Sequence, residues 1–302
     1  ILKNDFNKVV IGTWTLGGDF GHVKLIDVAR VLDHSYDLGF REYDTAPNYG
    51  NGFVEFCIGK SFFNKKDITV NTKVGNIPFY GKGFELEIIK KSFKESLQRL
   101  GGLQINVLFL HNPRHEIKDY EVILEYLNSL KRQGKIKKIG LSKAKGFTYE
   151  EVVDLNEFDV IQEDVNLLCM DPIIHQSNLD ITFMARSPLA TGILSGKLSK
   201  NTVFLDGDQR ASWLKGERLE SILKRINIIK KQIDRPVPSI ARQFLLSNKN
   251  ISKIIFGVKR VEHLDDLVQE FNKEPITQDE INTLIKLYET DFGLINEKHL
   301  TY

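Results

Sequence analysis

Cysteine is almost absent: Cys57 and Cys169 are the only two in 302 residues. A chain of this length buries enough surface to fold without cross-links, so both are expected to be reduced thiols. Net charge is nearly absent too, at +2 from 42 basic and 40 acidic residues. That balance excludes the electrostatic footprint of a nucleic-acid binder and an acidic tail. No apolar run approaches the ~18 residues of a membrane span. No charged segment followed by an apolar core opens the sequence, so no secretory signal is visible and a cytoplasmic chain is expected. Linkers, repeats and low-complexity segments are missing as well. Residues 1–302 therefore read as one domain.

What is present is alternation. Short apolar runs start near positions 8, 40, 67, 105, 136, 159, 181 and 251, with helical patterns between them. In the first such pattern Val23, Ile26, Ala29, Val31, Leu32 and Tyr36 form an apolar stripe that stops at Gly39. Further helices are expected over 53–62, 85–101, 120–134, 148–156, 216–233, 237–248, 261–271 and 277–288, with a helical turn near 172–178. Strict β-α alternation implies a parallel sheet, and eight units in this length fit a (β/α)₈ TIM barrel of the α/β class. A doubly wound sheet is the alternative. It would want a glycine-rich turn after the first strand, and "GTWTLGGDFG" lacks the G-x-G-x-x-G spacing.

In a barrel the C-terminal strand ends face the active site. The second strand ends in Asp44, with Tyr49 on the turn-rich loop above it; the third ends in Lys73 and the fourth in His111. Taken singly, each has a bland reading as a turn residue, packing, a solvated amine or a structural imidazole. Together, an acid, a phenol, an amine and an imidazole at neighbouring strand ends suit carbonyl reduction. Hydride addition to a carbonyl carbon leaves charge on oxygen, which needs a proton. Tyr49 is the proton donor, and the Lys73 ammonium lowers its pKa. Asp44 keeps Lys73 charged and oriented, and a neutral His111 N–H meets the developing oxyanion. These four are the candidate catalytic residues.

The string "YDTAPNYGNG", with "TKVG" and "LFLHNP" after it, closely resembles the aldo-keto reductases, whose motif is D-T-A-x-x-Y-G followed by a T-K strand end and L-H. The resemblance runs from "IGTW" to "IIFGVKR", nearly the whole chain. It implies a (β/α)₈ barrel binding NADPH extended across its C-terminal face. It also implies cofactor-binding positions. Ser142 and Gln162 match the residues that hold the nicotinamide amide, while Lys143 replaces the usual Asn. Arg186 stands where an aromatic residue usually stacks on the nicotinamide, before Ser187. Leu189, Thr191, Gly192 and Lys197 resemble the pyrophosphate cradle, and Arg210 in "FLDGDQR" is a weaker match. Gly257, Lys259, Arg260 and His263 fall at the adenosine-phosphate end. The Lys259–Arg260 pair favours NADPH over NADH because a 2′-phosphate wants cations at a strand-to-helix turn. Leu267 replaces a polar adenine contact. Thr13 and Trp14 flank the cofactor after the first strand, and Trp14 is the expected aromatic wall of the substrate pocket.

Other features have plainer readings. Residues 130–146 hold seven basic residues and no acid, but the run crosses a helix end, a turn and a buried strand, so it reads as solvated surface. His111 and His115 are separated by Pro113, which argues against a helical metal pair, and no metal is expected. Three functions compete. The first is an NADPH-dependent reductase of a small-molecule carbonyl. The second is a cofactor-sensing regulatory subunit resembling potassium-channel β-subunits, which keep the same tetrad. The third is a lyase with Lys73 as a Schiff base, which Asp44 disfavours because an iminium-forming lysine must be neutral. The loops after strands 1, 4 and 7 set specificity. The short tail after Phe292 leaves an open pocket suited to a polar, sugar-like carbonyl. No residue names a substrate or an oligomeric state.

Overall fold

The computed structural model describes residues 6–114, 117–149, 153–174, 181–300 and 302. Eight parallel strands close into a barrel: β1 (Val9–Gly12), β2 (Glu42–Asp44), β3 (Thr69–Val74), β4 (Gln104–His111), β5 (Ile136–Ser142), β6 (Val160–Asp164), β7 (Thr182–Arg186) and β8 (Lys253–Gly257). They pair in chain order, and β8 returns to β1 with Val9 beside Ile254. Every residue of β1 is buried, as expected of a strand covered on both faces.

The surrounding helices follow their apolar stripes. In α1 (Leu25–Asp37) the buried residues are Val28, Val31, Leu32 and Ser35, one face of a 3.6-residue repeat. The helix stops where Gly39 takes φ 102°. The others are α2 (Phe53–Ser61), α3 (Leu86–Arg99), α4 (Tyr120–Arg132), α5 (Asp171–Ile174), α6 (Arg210–Trp213), α7 (Gly216–Gln232), α8 (Val237–Ser247), α9 (Val261–Glu270) and α10 (Gln278–Glu289). A capping box between Thr277 and Glu280 starts α10.

Two expectations differ from what is found. The helix expected over 148–156 is, among the described residues, a single 3₁₀ turn at Leu155–Glu157, and residues 150–152 lie outside the description. Tyr149 explains part of this: its buried hydroxyl donates to the Pro113 carbonyl and accepts from the Ala144 N–H, tying the segment to the neighbouring loop. The turn expected near 172–178 is seen as Asp171–Ile174, and 175–180 lie outside the description. A small antiparallel hairpin, Asn76–Ile77 with Gly81–Lys82, was not anticipated.

The barrel interior is layered. Its middle is apolar, built by Val10, Val107, Phe109, Val160, Met184 and Ile255. Gly140 makes room there, since a Cβ on it would meet the Phe109 ring at 2.3 Å. Side chains in a strand alternate with a period of two. Steps of two from these apolar residues lead to His111, Gln162, Asp164 and Arg186 at the C-terminal end. The pairing sets Asp44 beside Gly12, and His111 beside Ser142 beside Gln162, so the polar strand ends share one rim.

Candidate active site

The rim brings Asp44, Tyr49, Lys73 and His111 together. The Lys73 Nζ donates to Asp44 Oδ1 at 2.7 Å, to the Thr45 carbonyl at 2.8 Å and to Tyr49 Oη at 3.3 Å. Asp44 and Lys73 are only 3% and 1% exposed. The second oxygen of Asp44 accepts from Gln162 Nε2 at 2.9 Å, so the carboxylate is bonded on both sides. The Tyr49 and His111 rings meet edge-on, centroids 6.3 Å apart.

Local sequence explains the placement of Tyr49. Behind it, Gly50 and Gly52 take φ 57° and 88°, where a side chain is rarely found, and Asn51 between them takes 51°. A Cβ on Gly17 would meet the Gly50 backbone at 2.7 Å, so the loop after β1 packs directly on this turn. Trp14 then lies stacked against Tyr49, ring centroids 6.2 Å apart, and its Nε1 donates to Asp19 at 2.6 Å.

The electrostatics differ from expectation in one respect. Burial raises the Tyr49 pKa and the Lys73 charge lowers it, and burial wins: the phenol lies above its ordinary value. The sequence-based reading had the ammonium bringing it down. For Lys73, burial lowers the pKa, but Asp44 and Tyr49 more than offset this and hold the amine charged. Burial, then the charges of Lys73, Arg186 and Lys82, push His111 well below its usual range, so the imidazole is neutral. The Asn76 amide donates to His111 Nδ1 at 2.9 Å, which leaves the ring proton on Nε2. Sequence reasoning missed Asn76, and only its closeness behind Lys73 hinted at it.

Arg186 is the hub of the next rim sector. It bonds Asp164 through Nε and Nη2 (both 3.2 Å), Ser142 Oγ at 2.7 Å, Asn112 Oδ1 at 3.2 Å and the Lys143 carbonyl. Burial lowers its pKa, but Asp164 outweighs burial and the net shift is up. Ser142 also donates to Gln162 Oε1 at 3.0 Å, so the Ser142–Gln162 pair is contiguous with both Asp44 and Arg186. Lys143 pairs with Glu163 at 3.2 Å. The basic run is thus broken up, since Lys131 and Arg132 also meet Asp159 and Glu125.

Past Arg186 the backbone is strained. Ser187, Ala190, Thr191 and Gly192 have φ of 58°, 48°, 53° and 90°. Ala190, Thr191 and Gly192 are three successive positive-φ residues, a costly arrangement of the kind that clusters at ligand clamps. A Cβ on Gly192 would lie 2.8 Å from Arg210 Nη1. Arg210 also donates to the Thr191 carbonyl at 3.1 Å and forks onto Asp208 at 2.9 and 2.6 Å. This strained turn is the segment that resembles a pyrophosphate cradle in sequence. Leu189 enters it, and Lys197 lies beyond, adding to burial and Arg260 in lowering the His263 pKa.

The structure separates the remaining positions. Thr13 is fully buried, and its N–H and hydroxyl both donate to the Asp44 carbonyl, so its hydroxyl braces the rim. Lys259 turns inward, donating to the Phe20 carbonyl at 2.5 Å and the Gly21 carbonyl at 3.2 Å. Arg260 is exposed, 3.5 Å from His263 Nε2, and His263 Nδ1 accepts from the Lys259 N–H. Gly257 is exposed at the end of β8, beside Thr15. Leu267 is a core residue.

Among the described residues, no cluster of three or more His, Cys, Asp or Glu is placed to hold a metal, and no helix is long and apolar enough to cross a membrane. His115 lies outside the described residues.

Comparison with known proteins gives the family. The chain is similar to L-galactose dehydrogenase of Arabidopsis thaliana, 27% identical over 87% of this chain and 83% of that protein. It is similar to the NADH-specific methylglyoxal reductase of Escherichia coli K12, 25% identical over 88% of this chain and 90% of that protein. Its fold matches a glycerol dehydrogenase from Gluconobacter oxydans with a TM-score of 0.76 at 21% identity, covering 96% of this chain and 94% of that one. The model of the Aldo/keto reductase family matches residues 8–289, and the chain belongs to that family.

Proposed function

We propose that this chain, one barrel unit over residues 1–302, reduces an aldehyde or ketone to an alcohol with NADPH, Tyr49 giving the proton. One observation carries the reading: the buried Lys73 ammonium bonds Asp44 at 2.7 Å and Tyr49 at 3.3 Å, with a neutral His111 facing the same phenol. A bound dihydronicotinamide supplies the hydride. The carbonyl oxygen rests between Tyr49 Oη and the Nε2 proton of His111. As charge grows on that oxygen, Tyr49 releases its proton to it, and the Lys73 ammonium stabilises the phenolate left behind. The raised pKa of Tyr49 keeps the donor loaded at neutral pH. Ser142, Gln162 and Arg186 would hold the nicotinamide end, Thr191, Gly192 and Arg210 the diphosphate, and Arg260 with His263 the adenosine end. The charged state of Lys73 disfavours a Schiff-base lyase.

NADPH is favoured by the cations at the β8–α9 turn. A relative whose name specifies NADH makes the choice a quantity to measure. The test is steady-state oxidation of NADPH and NADH over a panel of aldehydes, ketones and sugars, with Tyr49→Phe as control. Turnover of a carbonyl that the variant loses supports the reading, and undiminished turnover in the variant removes Tyr49 from the acid role.

A further inference from the structure

A cavity of about 370 Å³ opens beside Trp14, the residue stacked on Tyr49. That volume suits a small ligand. Its walls carry four cationic side chains, Arg114, Lys145, Arg210 and Arg218, and no carboxylate side chain. Arg210 is neutralised by its fork onto Asp208. The other three have no ion pair with a carboxylate among the described residues. Lys145 lies 3.9 Å over the ring of Tyr302, and the Arg218 charge acts against it. The acidic groups felt at Lys145 are the Cys169 thiol, Asp164, already bonded to Arg186, and Asp171. Unpaired like charges around one cavity repel one another, and the arrangement gains most when an anion enters.

The three cations come from separate places: Arg114 from the loop after β4, Lys145 from the loop after β5 and Arg218 from the first turn of α7. The positions read as holding cofactor run along β5 to β8 and the loops after them. Arg114 follows β4, the strand next to β5, so the cavity borders that path: Thr191 and Arg210, read above as holding the diphosphate, are in its wall, and so is Trp14, which is stacked on Tyr49. We infer that the carbonyl substrate carries an anionic group, a phosphate monoester or a carboxylate, at the end remote from its carbonyl, and that Arg114, Lys145 and Arg218 hold it. The inference rests on the carbonyl-reductase reading above and names the substrate class for that site. Trp14 and Tyr302 provide the apolar walls between the anion and the reacting carbon.

The test compares three small aldehydes with purified full chain: glyceraldehyde, glyceraldehyde 3-phosphate and succinic semialdehyde. The anionic aldehydes are expected to exceed the neutral one at least about ten-fold in kcat/KM, as a charge-assisted contact gives. Each of Arg114→Gln, Lys145→Gln and Arg218→Gln should shrink that ratio several-fold, and the triple variant should bring it near one. Arg218→Lys should keep part of it. The larger of the two anionic rates says whether phosphate or carboxylate is meant. A wild-type ratio near one overturns the proposal. So does a triple variant that weakens NADPH binding instead, because the cations then serve the cofactor. A second readout needs no turnover: calorimetric titration of glycerol 3-phosphate into wild type and the triple variant. Binding lost in the variant supports the anion site even if no aldehyde is turned over, in which case the reductase reading fails by itself. No binding to wild type removes the anion site whatever the kinetics.

Discussion

Strand β2 carries two inward carboxylates two residues apart, and each takes a lysine at 2.7 Å. At the C-terminal end Asp44 holds Lys73; at the opposite end Glu42 holds Lys253. The two pairs match in contact length and differ in everything around it. Lys73 and Asp44 side chains are 1% and 5% exposed, Lys253 and Glu42 30% and 12%. Glu42 is completed by the amides of Asn71 and Asn106, and Lys253 by the Asn7 carbonyl. A bulge in β4, where Val70 and Thr72 face Ile105 and Leu108, lets Asn106 reach in beside Val107. Amides and carbonyls hold charge in place but exchange no proton at neutral pH. At the other end the third partner is a phenol, and an imidazole faces it. The lower pair closes the barrel, and the upper pair has a group that can give a proton away. Contact distance alone would not tell them apart.

The sharpest way to break the comparison is Tyr49→Phe. It leaves the Asp44–Lys73 pair intact and removes the phenol proposed to deliver the proton. Turnover should fall by about 10²–10⁴, while the melting temperature and the cofactor Kd stay near wild type. A variant within a few-fold of wild-type turnover would show that the upper pair, like the lower, is only structural.

Lys73→Met comes next. Removing the ammonium takes away the larger of the two charges that lower the Tyr49 pKa and leaves burial and Asp44, which both raise it, opposed only by Arg186. In the oxidation direction the phenolate is the working form, so the activity limb should move to higher pH, with a loss of about 10²-fold at neutral pH and partial rescue above it. The variant also leaves Asp44 buried without its cation, and a loss of about 3–5 kcal/mol in stability accompanies it. An unchanged pH–rate profile in the folded variant would show that Lys73 does not act on Tyr49.

Much of this contrast was legible in the sequence. Eight apolar runs placed the strands, and Asp44, Lys73 and His111 stood at or beside the ends of three of them, where the chain passes from strand to loop. What was not legible depends on contacts across the barrel. Gln162 reaches Asp44 from the other side of the ring, and Asn76 sets the His111 proton from a hairpin too short to leave a periodic signal. The direction of the Tyr49 shift was misjudged for a related reason: sequence shows the neighbouring charge but not the depth of burial that opposes it. Glu42 and Lys253 read as ordinary polar strand positions, since their pairing joins residues 211 apart.

Glu42→Gln sharpens the other side. It keeps the shape and removes the charge that Lys253, Asn71 and Asn106 bond. The expected loss is about 1.5–3 kcal/mol, seen as a fall of several degrees in melting temperature. The shape of the pH–rate profile should not move, because no group at this end enters the reaction. A changed profile with unchanged stability would mean that the two ends are coupled through the apolar middle layer.

The smallest effect concerns the cations at the β8–α9 turn, where the same distinction between a holding lysine and an available group recurs. Lys259 is drawn inward onto the carbonyls of Phe20 and Gly21, and burial lowers its pKa. Arg260 is exposed beside His263. If a 2′-phosphate lies here, Arg260 is the side chain free to meet it, and Lys259 ties the loop after β1 to the turn. Arg260→Ala should then weaken NADPH by about ten-fold relative to NADH. Because the contact is solvent-facing, the difference should shrink as salt is raised. Lys259→Ala should loosen the loop after β1 and weaken both nucleotides alike. Fluorescence titration of each nucleotide with both variants separates the two roles. An unchanged NADPH-to-NADH ratio in Arg260→Ala would remove the phosphate assignment from this turn, and with it the reason to favour NADPH.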